Sequence, residues 1–233
     1  MSVQRRLTHD LQFNIAYTYS KAFDMADNIY SVVTDTYNPK YNWQLAGFDQ
    51  THNFIVTWVY TLPFFRHDTS VLGRVVGGWE LSGDLALFSG FPNSVTTSGT
   101  DVLGNGVNEI GGTEYAGVLP GCHYRGSRSI SHFFNTSCFY QPGPNAPTYS
   151  TLYGTVAPNA IEGPGVDNLD LAVIKNGPVW KEKIRYQIRG EFFNILNHPS
   201  FTTIDTGVTD STFGIVTGAT TQRNIQIAIK LIF

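Results

Sequence analysis

Apolar and polar residues alternate with a period of two along most of this chain, and that pattern limits the fold more than any other feature. In RNIQIAIKLIF, residues 223–233, the apolar positions are Ile225, Ile227, Ile229, Leu231 and Phe233, with Asn224, Gln226, Ala228 and Lys230 between them. Successive side chains on a strand point to opposite faces, so this is a strand with one apolar face. LQFNIAYTYS sets Leu11, Phe13, Ile15, Tyr17 and Tyr19 against Gln12, Asn14, Thr18 and Ser20. NFIVTWVYTL sets Phe54, Val56, Trp58, Tyr60 and Leu62 against Asn53, Thr57 and Thr61. Trp79, Leu81, Leu85 and Leu87 alternate with Glu80, Ser82 and Asp84, and Leu169, Leu171 and Val173 with Asn168 and Asp170. Ile184, Tyr186, Ile188 and Phe192 alternate with Arg185, Gln187, Arg189 and Glu191. With SVQRRL, turned by THD at residues 8–10, about seven or eight strands result, most of them longer than the usual five or six residues.

Two-faced strands suit either a β-sandwich or a barrel wall, and the connections separate the two. Between the strands lie a tight turn at Thr8–Asp10, a long loop over about 23–50, and a medium link at 63–76. A very long loop at about 90–165 follows, then a short turn at Asn176–Glu182 and a longer loop at about 197–221. Long connections thus fall at one end and shorter ones at the other, the arrangement of outer-membrane barrels. From Ile225 to Phe233 is roughly 26 Å of strand, or about 20 Å after a barrel's tilt, close to the height of the apolar band. Tyr17, Tyr19, Tyr60, Phe64, Phe65, Trp79, Trp180 and Phe192 fall toward strand ends, as interfacial girdles require. The fold class expected is all-β, an antiparallel transmembrane β-barrel segment.

Composition agrees. Charged residues make up 14% of the 233, well under the roughly 25% of soluble domains. A net charge of −3 argues against a nucleic-acid partner. No apolar run of about 18 residues is present, so no membrane-spanning helix is expected, and a mean hydropathy of −0.11 is compatible with barrel strands that are half polar. The opening MSVQRRLTHD does not read as a secretory signal.

The blocks FDQTHNFIVTWVYTLPF, GGWELSGDLALFSGFP, GPGVDNLDLAVIKN, RGEFFNILNHPSF and the closing RNIQIAIKLIF resemble the C-terminal barrel of TonB-dependent outer-membrane receptors. The resemblance is to the Oar-like type, with carboxypeptidase-regulatory-like N-terminal domains, and spans nearly all of residues 1–233. It implies a barrel of about 22 strands in the outer membrane of a Gram-negative bacterium. It further implies a plug domain, a unit that imports a solute with energy from TonB, and no cofactor. The implied partners are outer-membrane lipid, the barrel-assembly machinery, and the plug domain and TonB acting through an N-terminal part; the solute is unknown. Phe233, preceded by Leu231 and Ile229, matches the terminal signal read by the assembly machinery. Seven strands would leave two unpaired edges in lipid, so the chain is expected to be part of a larger receptor, not a transporter by itself.

Cys122 and Cys138, 16 positions apart in the longest loop, fit a disulfide in an exported protein. Two free thiols, or a metal site with His123 and His132, are the alternatives, although the spacing is not a standard zinc pattern. No metal site is expected. Glu80, Asp84, Asp170, Arg185, Arg189, Glu191 and Lys230 are expected to be polar residues facing the lumen. Asp170 and Glu191, with Lys175, Arg185 and Arg189 nearby, could be read as paired catalytic carboxylates, but charges sharing the inward face of adjacent strands account for them better. No nucleophile, base and orienter stand at a recognisable spacing, so no enzyme activity is expected. The glycines of VLGNGVNEIGG read as turn residues, without the strand-then-helix context of a phosphate cradle. Alternatives from other classes are an outer-membrane adhesin or structural surface protein, and a soluble, secreted β-sandwich binding module.

Overall fold

The computed structural model describes residues 1–8, 10–25, 39–65, 70–97, 113–143, 146, 154–180, 184–220 and 222–233. Seven long strands form one sheet: β1 (Ser2–Thr8), β2 (Leu11–Tyr19), β3 (His52–Thr61), β4 (Trp79–Phe88), β5 (Val166–Trp180), β6 (Ile184–Phe193) and β7 (Asn224–Ile232). They pair in chain order, every neighbour antiparallel, as an up-and-down meander. Each strand obtains its hydrogen bonds from the one beside it, so the period-two pattern of each strand is locked to that of the next.

The register shows that lock directly. Asn14 faces Thr57, Thr57 faces Asp84, Asp84 faces Asp170, and Glu191 faces Gln226. All of these lie on one face. Opposite them, Phe13 pairs with Trp58, Val56 with Leu85, Leu85 with Leu169, and Ile188 with Ile229. The sheet therefore has one face that carries most of its polar residues, with Ile55, Val59 and Ile174 among them, and one that is mainly apolar. It also curves, for a hollow of about 330 Å³ on the more polar side is lined by Gln12, Asn14, Thr57, Asp84, Asp170 and Glu191 together with the apolar Val59, Ala172 and Phe193.

Two glycines on the apolar face make room for rings. Gly83 lies opposite Trp58 and Gly177 opposite Tyr186, and a Cβ at Gly177 would come within 2.5 Å of the Tyr186 ring. At the far end of β5 the strand runs on through Asn176 and Pro178 to Trp180, so the turn expected at Asn176–Glu182 does not begin at Asn176; residues 181–183 lie outside the described segments. Proline supplies no N–H to the ladder, and the register shifts directly after Pro178. His9, in the first turn, and the glycines between residues 102 and 112 also lie outside the described residues.

Connections 20–51, 89–165 and 194–223 leave one end of the sheet; 9–10, 62–78 and 181–183 leave the other. The medium link is not featureless. It contains a short helix, α1 (Val71–Val76), capped at its N-terminus by Ser70, whose hydroxyl accepts from the Gly73 amide at 3.0 Å. A one-turn helix, Pro39–Asn42, sits in the first long connection.

Candidate binding surface: polar wall and loop cap

Strand geometry places all seven sequence-predicted polar residues on the same face. Glu80 and Asp84 come from β4, Asp170 from β5, Arg185, Arg189 and Glu191 from β6, and Lys230 from β7. Arg189 Nε lies 2.9 Å from Glu191 Oε1, an ion pair along one strand and not across two. The Asp170 carboxylate accepts from Asn168 Nδ2 and from the Asn194 amide, each at 2.8 Å, which fixes the chain where it leaves β6. Asp84 stands directly opposite Asp170. Two carboxylates in register repel, at a cost that access of solvent to them lowers.

Lys175 departs from expectation. It pairs with Trp79 and Ile188, so it lies on the apolar face, away from Asp170 and Glu191. Its stem lies along that face, 5% of the residue is exposed, and Nζ donates to the carbonyls of Arg74, at 2.8 Å, and of Gly77. The single step from Ile174 to Lys175 reverses the face, which the period-two rule allows and charge alone conceals.

The largest apolar core of the described residues is in the long connections and not against the sheet. Val95, Ala116, Phe133, Phe134, Cys138, Phe139, Val156 and Ile161 of the second long connection pack with Ile204 of the third. Phe134 meets Phe139 and Phe213 edge-on, at centroid distances of 5.7 and 5.2 Å, a geometry that aromatic quadrupoles favour. Three two-stranded sheets frame this core: Ile161–Glu162 with Pro92–Asn93, Gly117–Val118 with Phe139–Tyr140, and Phe201–Ile204 with Val216–Ala219. A bridge between Thr96 and Gly207 joins the two connections. The first long connection is tied in by Asn159, whose Nδ2 donates to Leu45 O at 2.8 Å. Together they form a cap over one end of the wall.

Cys122 and Cys138 are joined as a disulfide in this cap, with Cα atoms 5.6 Å apart. Both sulfurs are thereby used, and neither is available to a metal beside His123 or His132. His132 Nδ1 lies 2.9 Å from Ser131 Oγ instead. Among the described residues no group of three or more His, Cys, Asp or Glu side chains is arranged to hold a metal ion.

Beside the disulfide a cavity of about 750 Å³ opens, lined by His123, Tyr124, Arg125, Arg128, Phe133 and Glu162 among others. Two of the lining residues pair, Arg128 Nη2 with Glu162 Oε2 at 2.7 Å. This mixture of rings and charged groups in a concave site of ligand size is suited to holding a small polar molecule.

A family model described as an outer membrane beta barrel domain matches residues 1–226. The chain belongs to that family. No curated protein and no solved structure matches it. An outer membrane β-barrel domain resides in the outer membrane of Gram-negative bacteria and crosses it with strands; among the described residues no helix is long and apolar enough to do so. In the barrel domain, the apolar stripe of β2–β7 is the surface suited to lipid. Tyr17, Tyr19 and His52 cluster on that surface at the capped end, Tyr17 Oη lying 2.9 Å from His52 Nδ1. Trp79 is at the opposite end, its indole N–H donating to Val75 O at 3.2 Å. Trp180 ends β5, its side chain outside the described set. Ile229 and Leu231 stand on the lipid face of β7, and Phe233 follows that strand, 90% exposed. The cap's core and the Asn159 pin are what sequence reasoning missed; the cluster FFNTSCF was the available signal.

Proposed function

We propose that this chain supplies seven consecutive wall strands and the external cap of a TonB-dependent, Oar-like receptor that imports a solute. One observation carries the reading: a polar, concave wall lies beneath a cap with its own core, and the cap holds a ligand-sized cavity. A binding unit above a wet channel wall is what an importer needs, whereas a purely structural barrel needs neither. In this reading the polar face lines the lumen, where Glu80, Asp84, Asp170, Arg185, Arg189, Glu191 and Lys230 meet water and the plug. The long connections face the cell exterior. β1 and β7 keep open edges, which lipid does not tolerate, so the working barrel closes with further strands. Ile229, Leu231 and Phe233 serve as the signal for the assembly machinery. The protein has no catalytic role and takes no cofactor in this account.

Comparing spent complex medium from wild-type cells, a deletion of the gene and a TonB deletion tests the reading. At least one solute should remain unconsumed in both deletions. Identical solute profiles for the wild type and the gene deletion, with cell-to-cell attachment lost instead, would favour an adhesin.

A further inference from the structure

Helix α1 (Val71–Val76) sits at the end of the wall opposite the cap, on the lipid side. Two contacts place it there. Trp79 and Lys175 both belong to the apolar face, and they reach the helix from below: the Trp79 indole donates to Val75 O, and Lys175 Nζ to Arg74 O and Gly77 O. The last carbonyls of a helix have no partner within it, so the ammonium group both satisfies them and stands at the favourable end of the helix dipole. Gly73 is the helix's buried residue. Gly77 and Gly78 then bring the chain back: Gly78 has φ +72°, and a Cβ there would lie 2.5 Å from Asn176 O. Only glycine combines that conformation with that approach.

The remaining surface of the helix is apolar. Val71 is 80% exposed, and Leu72, Val75 and Val76 are exposed with it. Phe64 and Phe65, which end the preceding stretch, are exposed as well. Among the described residues, Arg74 is an exposed cation beside this patch. A patch of apolar side chains rimmed by a cation, continuous with a surface already assigned to lipid, has the composition of an interfacial anchor.

We propose that α1 with Phe64 and Phe65 is a lipid-binding anchor lying in the periplasmic leaflet of the outer membrane, its apolar side chains among the acyl chains and Arg74 at the anionic phospholipid headgroups. Lys175 is the clamp that holds this anchor to the wall. The leaflet assignment rests on the long connections facing outward, as proposed above; the lipid contact rests on the fold alone.

The test uses the full-length protein reconstituted in vesicles of phosphatidylethanolamine and phosphatidylglycerol. Leu72→Cys, labelled with an environment-sensitive dye, should be quenched by lipids brominated near the headgroup and be several-fold less sensitive to aqueous iodide than a label at Ile130→Cys in the cap. Quenching by iodide equal to that at Ile130 overturns the anchor, and so does resistance to both quenchers, which would mean that protein covers the patch. In the Lys175→Met background, the Leu72 label should become several-fold more accessible to iodide while the labelled cap is unchanged; unaltered protection removes the clamp from the proposal. Labelling of Ile130→Cys on intact cells checks the leaflet separately. If that site is unreachable from outside, the orientation and the receptor reading fail while the lipid contact stands, moved to the other leaflet.

Discussion

The indole of Trp58 covers Gly83, its partner on the adjacent strand, so that a Cβ built on Gly83 would fall within 2.6 Å of ring atom Cε2 and closer still to Cζ2. This ring-over-glycine packing seals a strand position on the lipid face that would otherwise expose bare backbone to hydrocarbon.

Gly83→Val should displace the indole and cost about 1–3 kcal/mol, the usual penalty for overpacking. The measurement is the urea midpoint of the full-length barrel in detergent, followed by its heat-dependent gel shift. A companion change, Trp58→Ala with Gly83→Val, should recover part of the loss; no recovery would show that the clash is elsewhere.

Opening the disulfide should loosen the cap and leave the wall intact. Cys122→Ser removes a crosslink between positions 16 apart, worth about 3 kcal/mol by the loop-entropy argument. Trypsin should then cut at Arg125 or Arg128, while the barrel keeps its heat-dependent mobility. Simultaneous loss of both would mean that cap and wall fold as one unit.

Asp49 pins the first long connection. It is 3% exposed, and its carboxylate accepts from the Ala22 amide at 2.7 Å and from Thr51 Oγ1 at 2.8 Å, with Lys21 Nζ 3.8 Å away. Asp49→Ala strands a donor in a part-buried place, at about 1–3 kcal/mol. Faster hydrogen exchange at Ala22, with strand amides unchanged, is the expected signature.

Deleting Phe233 in the full-length protein should lower the amount of assembled, heat-modifiable barrel without altering its transcript. Wild-type levels would remove Phe233 from the assembly signal.

The strands were readable because each carries its own evidence. Leu11, Phe13, Ile15, Tyr17 and Tyr19 need no knowledge of their neighbours to show which face they share, and the sheet's register follows once each apolar stripe must meet the next. Asp84 and Asp170 were likewise assignable to the polar face from position alone. Lys175 was not, since its charge suggested water and only the ladder shows that it points the other way. The cap was least legible. Its core joins Val95, Phe134 and Ile204 across more than a hundred residues with no period, and such packing leaves no local signature. The Arg128–Glu162 pair at the cavity is likewise a product of that packing and could not be inferred from spacing.

Connections that pack independently can change length one at a time. The shared core of the cap removes that freedom. Val95 and Ile204 arrive on different connections, and Asn159 holds on to Leu45 of yet another. An insertion in one connection must therefore be accommodated by side chains on another. A change of length in this part of the protein is therefore best accommodated by the cap as a unit, bounded by the strand ends near Tyr19, Phe88 and Phe193, while the wall beneath keeps its own ladder.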